Sequence, residues 1–111
     1  MTFLYLSSDR MGNGDDELGR RLLQAFLGKL ADSGVPVDLV GCVNSGVALT
    51  TAAGPALEAL RRLETAGARI ASCGTCLDHF NLRQALLIGE VGTMDGTVKV
   101  MAEADRVIRP C

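Results

Sequence analysis

The feature that most restricts how this chain can fold is an alternation along its whole length. Short apolar runs take turns with segments of helical periodicity, and the loops between them are brief. Thr2-Phe3-Leu4-Tyr5-Leu6-Ser7-Ser8 is apolar and ends in turn residues, so it reads as a strand. Asp9-Arg10-Met11-Gly12-Asn13-Gly14 is a tight loop, and from Asp15 the pattern becomes helical. Leu18, Leu22, Leu23, Phe26, Leu27 and Leu30 form one apolar face, and Asp15, Asp16 and Glu17 complement the helix dipole in the first turn. A second strand covers Val35 to Val43, with Asn44-Ser45-Gly46 as its exit turn. Val47 to Ala53 fits either a short strand or a helical turn. Gly54-Pro55 opens a helix that runs to Ala66 and closes at Gly67. A third strand spans Ala68 to Ser72, followed by a helix from about Cys76 to Leu82, or on to Leu86. Leu87 to Val91 is a fourth strand. A last helix, capped by Thr93 or Asp95, reaches Ala104, and Asp105 to Arg109 is a fifth strand.

Strands alternating with helices across short loops predict a three-layer α/β/α fold with a mostly parallel sheet of about five strands. Apolar residues make up 48% of the chain but aromatics only 4%, so Leu, Val, Ile and Ala must build the core, which suits parallel strands covered on both faces. The 111 residues suffice for one domain over residues 1–111 with a core of its own. Net charge of −2 argues against a nucleic-acid partner, because phosphate binding needs a basic face. No apolar run approaches the ~18 residues of a membrane span. The first strand begins at once, without a basic leader or an apolar segment with a cleavage site, so a cytoplasmic protein is expected. Four cysteines in such a setting read as free thiols, catalytic or metal-binding, rather than as a disulfide framework.

Chemistry concentrates in Arg69-Ile70-Ala71-Ser72-Cys73-Gly74-Thr75-Cys76-Leu77-Asp78-His79-Phe80, a buried strand that runs into a Cys-x-x-Cys pair and then a helix. In a parallel α/β sheet the ligand site lies beyond the carboxyl ends of the strands. Asp9-Arg10-Met11, Asn44-Ser45-Gly46, Cys73 to Cys76 and Gly92-Thr93-Met94 gather there. Unpaired N–H groups at a helix start favour an anion, which predicts a lowered thiol pKa and a better nucleophile. The three-residue spacing makes the two sulfurs neighbours. Gly74 leaves the backbone free to approach an anion, and Thr75 offers a hydroxyl to a thiolate or persulfide.

Other readings compete. Cys73 and Cys76 are buried space-fillers in the plainest one, since cysteine is among the most buried residue types. A thioredoxin-like site is opposed by the position of the pair after the third strand and by the lack of a proline to act as a cis wall. A zinc site would use Cys73, Cys76 and His79, but a structural site wants a fourth ligand and there is no second Cys-x-x-Cys, so no metal is expected. His79, the only histidine, either hydrogen-bonds the Cys76 sulfur or lies on the surface. Asp78 is read as a solvated helix residue or a salt-bridge partner. Cys42 is expected to be inert core, and Cys111 a free thiol at a mobile terminus. The Gly-rich loop after the first strand lacks the phosphate-binding patterns, and three carboxylates at the helix start would repel a phosphate.

Three stretches in order resemble a known family. They are Ser8-Asp9-Arg10-Met11-Gly12-Asn13-Gly14-Asp15-Asp16-Glu17-Leu18-Gly19, Asn44-Ser45-Gly46-Val47, and Ser72-Cys73-Gly74-Thr75-Cys76-Leu77-Asp78-His79-Phe80, with the closing Ala104-Asp105-Arg106-Val107-Ile108-Arg109. The family is the DsrE/DsrF-like family, and within it the resemblance is to the carboxy-terminal domain of the sulfurtransferase-like YedF branch, linked to selenium metabolism. It implies a DsrE-like α/β fold, homo-oligomeric assembly, no organic cofactor, and a cysteine that carries a persulfide between donor and acceptor proteins, a TusA-like protein being one candidate. The active cysteine of the relay members corresponds to Cys73, which would take the sulfur, and Cys76 would resolve it. Asp9, Arg10, Met11, Asn44, Ser45, Gly74, Thr75 and His79 would shape the pocket. Asn81 stands where many relatives have glycine, and the Cys-Pro module of full YedF chains has no counterpart in this sequence. The alternative is a binding or assembly module whose thiols close reversibly without turnover.

Overall fold

The computed structural model describes all residues, Met1–Cys111. Strand β1 spans Thr2–Leu6, β2 Leu39–Cys42, β3 Arg69–Cys73, β4 Glu90–Gly92 and β5 Arg106–Ile108. All neighbouring pairs are parallel and the order across the sheet is β4-β3-β2-β1-β5. Helices α1 (Asp16–Asp32), α2 (Ala48–Thr51), α3 (Pro55–Thr65), α4 (Gly74–His79) and α5 (Met94–Glu103) fill the connections, with 3-10 turns at Asn44–Val47 and Arg83–Ala85. The fold is the α/β sandwich that the alternation predicts.

Three boundaries differ from the expectation, each for a local reason. β2 forms only from Leu39, because Pro36 has no N–H for a ladder and the Asp38 carboxylate instead accepts the Thr2 N–H at 2.7 Å. Val47 to Ala53 resolves as helical turn, with Thr50 Oγ1 and Thr51 Oγ1 both donating to the Val47 carbonyl. The helix after β3 starts at Gly74 and stops at His79, not near Leu82; Asn81 takes a left-handed φ of 57° that turns the chain.

Alternation along each strand divides the sheet into two faces. Leu4, Leu6, Val40, Cys42 and Ile70 join Leu23 and Leu27 of α1 and Leu57, Leu60 and Leu63 of α3 in the main core cluster. Each leucine buried there contributes about 1.5–3 kcal/mol. Phe3 faces the other way and its ring lies over Gly41, where a Cβ would stand 2.9 Å away. Strands β1 to β4 progress one way across the sheet, while α5 returns from β4 at one edge to β5 at the other. A right-handed return places α5 on the face opposite α1 and α3. None of its residues is buried.

Candidate thiol site

The register brings the carboxyl ends of the inner strands level. Leu6 pairs with Cys42, Cys42 with Ser72, and Cys73 with Gly92. Cys73 ends β3 and is the residue before α4, and Cys76 is in the first turn of that helix. Ser72, just before, is fully buried and meets Thr50 Oγ1 at 2.6 Å, so the strand end is anchored from below to α2. A buried hydroxyl pair of this kind satisfies both oxygens where no water reaches.

Around the thiols, the turn after β2 makes the closest polar contact. The Asn44 N–H points at Cys76 Sγ, 3.1 Å away, from a residue held at φ 52°. Ser45 Oγ in turn accepts the Asp9 N–H at 3.2 Å and lies 3.5 Å from Ser8 Oγ. A continuous path thus links Asp9, Ser45, Asn44 and Cys76. Asn44 reaches a thiol directly, whereas Ser45 contacts Asp9 and Ser8.

Not every residue expected at the site faces the sulfurs. Arg10 turns to α1, its guanidinium 2.9 Å from Asp16 and 3.2 Å from Asp9. Met11 packs on the main core and its N–H donates to the Gly19 carbonyl. Thr75 is exposed and Gly74 buried. His79 sits at the exposed end of α4, where its ring meets Phe80 edge-on with centroids 5.0 Å apart. Nowhere do three or more His, Cys, Asp or Glu side chains gather in a way that could hold a metal. A cavity of about 190 Å³ opens nearby between Asp9, Arg20, Gln24, Leu49 and Leu57, but neither Cys73 nor Cys76 lines it. Arg83 is the contact that the sequence pattern did not single out. Its fork closes on Asp78 at 2.7 and 3.0 Å, and its Nη2 lies 3.4 Å from the Gly74 carbonyl.

At Cys76 the electrostatics depart from the expectation of an easily ionised thiol. Burial pushes the Cys76 thiol above its ordinary value, the Asn44 N–H pulls the other way, and the neighbouring Cys73 sulfur raises it again. A six-residue helix has little dipole with which to counter this. Accessibility also splits the pair, with Cys73 8% exposed and Cys76 half-buried. Cys42 is sealed at the end of β2 and burial takes its thiol to about 12. Cys111 is not loose. Its carbonyl accepts from Ser7 Oγ at 3.1 Å and its sulfur lies 3.5 Å from the Ser8 carbonyl oxygen.

Among solved structures, the YchN protein of E. coli superposes with a TM-score of 0.67 at 17% identity, covering 97% of both chains. A protein of unknown function from Methanobacterium thermoautotrophicum gives 0.69 at 20% identity, over 98% of this chain and 97% of the other. One from Bacteroides thetaiotaomicron gives 0.64 at 11%, over 97% and 93%. Identities this low speak to the fold alone. No curated protein matches the sequence. Residues 38–110 match the DsrE/DsrF-like family, and with β2, the thiol pair, β4 and β5 all inside that match, the chain belongs to this family.

Proposed function

We propose that the protein is a cysteine-based sulfur carrier, with Cys73 as the sulfur-accepting nucleophile and Cys76 as the resolving thiol. Its family is associated generally with sulfur relay. The observation that carries the reading is the adjoining pair at the end of β3. Cys73 ends the strand and takes the attacking role, and Cys76, one helical turn on, stands beside it to resolve the product. In the forward step the Cys73 thiolate attacks the terminal sulfur of a donor persulfide. A new S–S bond forms on Cys73, the donor S–S bond breaks, and the donor leaves as a thiol with no net oxidation. An acceptor thiol removes the sulfur by the same exchange in reverse. Where no acceptor is present, the Cys76 thiolate attacks the inner sulfur, hydrosulfide leaves, and a Cys73–Cys76 disulfide remains for a dithiol to reduce.

The three YedF-like stretches support the selenium-linked branch and a TusA-like donor or acceptor as partner. Asp9, Asn44 and Ser45 wall the approach, with Arg10, Met11, Gly74, Thr75 and His79 in the surrounding shell. Self-association belongs to the same proposal, supported by exposed Val91, Met94, Val98 and Val107. A cytoplasmic location fits carriers that keep thiols reduced, and no helix is long and apolar enough to cross a membrane. A second reading, a reversible thiol–disulfide switch, is favoured by the same proximity of the sulfurs. Mass spectrometry after incubation with a persulfide donor separates the two. One added sulfur that then moves to an acceptor protein supports the carrier; loss of two hydrogens with no added sulfur at any time supports the switch.

A further inference from the structure

Arg83 opens the 3-10 turn that follows α4, and the left-handed Asn81 bends the chain so that its side chain runs back along the helix. Both nitrogens of the fork hold the Asp78 carboxylate, Nε to Oδ1 at 2.7 Å and Nη2 to Oδ2 at 3.0 Å. The same Nη2 reaches the Gly74 carbonyl at 3.4 Å. One guanidinium therefore touches the first residue of α4 and the residue before its last, with Cys76 between them. A helix this short does not hold itself, since isolated helices below about 12 residues are marginal in water.

Gly74 shows how tight the fit is. A Cβ there would stand 2.9 Å from Arg83 Nη2 and 3.0 Å from Val91 Cγ1. The space that the glycine leaves is filled by the arginine and by β4. The Asp78 carboxylate cancels the guanidinium charge, so Arg83 acts on the thiols through geometry and not as a bare cation. We propose that Arg83 is the positioning residue of the thiol pair: by gripping Asp78 and Gly74 it orients the first turn of α4 and so sets the separation of the Cys73 and Cys76 sulfurs. The purpose of that grip rests on the sulfur-carrier reading, whereas the grip itself is read from the disulfide the two thiols make.

The test equilibrates the full chain with glutathione and glutathione disulfide. Cys73 and Cys76 lose two hydrogens to form their disulfide, and glutathione disulfide is reduced to two thiols. The equilibrium constant gives the effective concentration of one sulfur at the other. Arg83→Gln is expected to lower it by about tenfold or more, because effective concentration falls steeply when reacting atoms lose their placement. The pH profile of Cys76 alkylation is expected to move to lower pH as the neighbouring sulfur withdraws. Arg83→Lys, with one donor in place of a fork, is expected to recover part of both. A folded Arg83→Gln protein with the equilibrium constant and pH profile of the parent overturns the proposal. If that variant does not fold, Gly74→Ala supplies the same reading by pushing Nη2 aside, and unchanged values there overturn it equally. A parent protein that never takes up sulfur contradicts the carrier reading and leaves the glutathione measurement to judge Arg83.

Discussion

At the scale of single residues, two glycines are explained by space and not by freedom of the backbone. A Cβ on Gly46 would run into the carbonyl oxygen of Leu6, which is main chain and cannot move aside. Gly46→Ala is therefore expected to cost about 1–3 kcal/mol or more, read as a lower urea midpoint. Gly74 meets the mobile end of Arg83, so Gly74→Ala should cost less in an Arg83→Ala background than in the parent. A double-mutant cycle checks this, and additive losses would contradict it. Cys42 offers a test of burial. Its folded pKa of about 12 lies above that of the unfolded chain, so the stability it contributes is complete below pH 9 and lost as pH rises towards 12. Cys42→Val should flatten the alkaline part of the stability profile. In the parent at pH 8, Cys42 should resist iodoacetamide until the protein unfolds, whereas reaction in the native state would contradict its sealed position.

At the scale of elements, α4 is held from outside, and this has a pH signature. The fork of Arg83 holds the Asp78 carboxyl below its usual value. The pair therefore supports α4 above the carboxyl's unfolded pKa, near 4, and the support fades as pH falls through the lower folded value. Hydrogen exchange of the α4 amides should speed up selectively in acid, and Asp78→Asn should abolish that pH dependence. Element types were legible because the periods are clean: β1, α1, α3 and the final α5–β5 pair all lie within a few residues of where their patterns put them. What the pattern overstated is the apolar face of α1. Leu18 and Leu22 satisfy the helical spacing yet are 51% and 44% exposed, because the core meets the stripe of Gly19, Leu23, Leu27 and Leu30. The start of α4 is not legible because a six-residue helix has too few positions to show a period, and its contacts are made to distant residues: Leu77 enters the main core and Gly74 meets Arg83, nine residues on. The lowered pKa expected from the helix start does not hold for Cys76, because burial outweighs the single N–H, that of Asn44, which reaches its sulfur. The Cys-x-x-Cys pair and its Asn44 neighbour were readable, because a level parallel sheet brings strand ends together.

At the scale of the whole molecule, the two faces of the sheet are unequally covered. Helices α1 and α3 seal one face around a continuous core, while α5 crosses from edge to edge without burying a residue. On α5, Val98 is 62% exposed and Met94 52%; Val91 on β4 and Val107 on β5, at opposite edges of the sheet, are exposed as well. Exposed apolar side chains mark an interaction surface where they join into one contiguous patch. If copies of the chain meet there, Val98→Lys should lower the mass seen by sedimentation, while an unchanged assembly would place the contact elsewhere. The thiol pair lies at the other end of this logic, on an edge where strand ends, the Asn44 turn and the α4 latch converge. The most direct test of its role is peptide mapping by mass spectrometry of the parent, Cys73→Ser and Cys76→Ser proteins after exposure to a persulfide donor. One extra sulfur on Cys73 in the parent and in Cys76→Ser, and none in Cys73→Ser, is the expected result. Sulfur retained by Cys73→Ser, or absent from all three, contradicts a carrier built on Cys73.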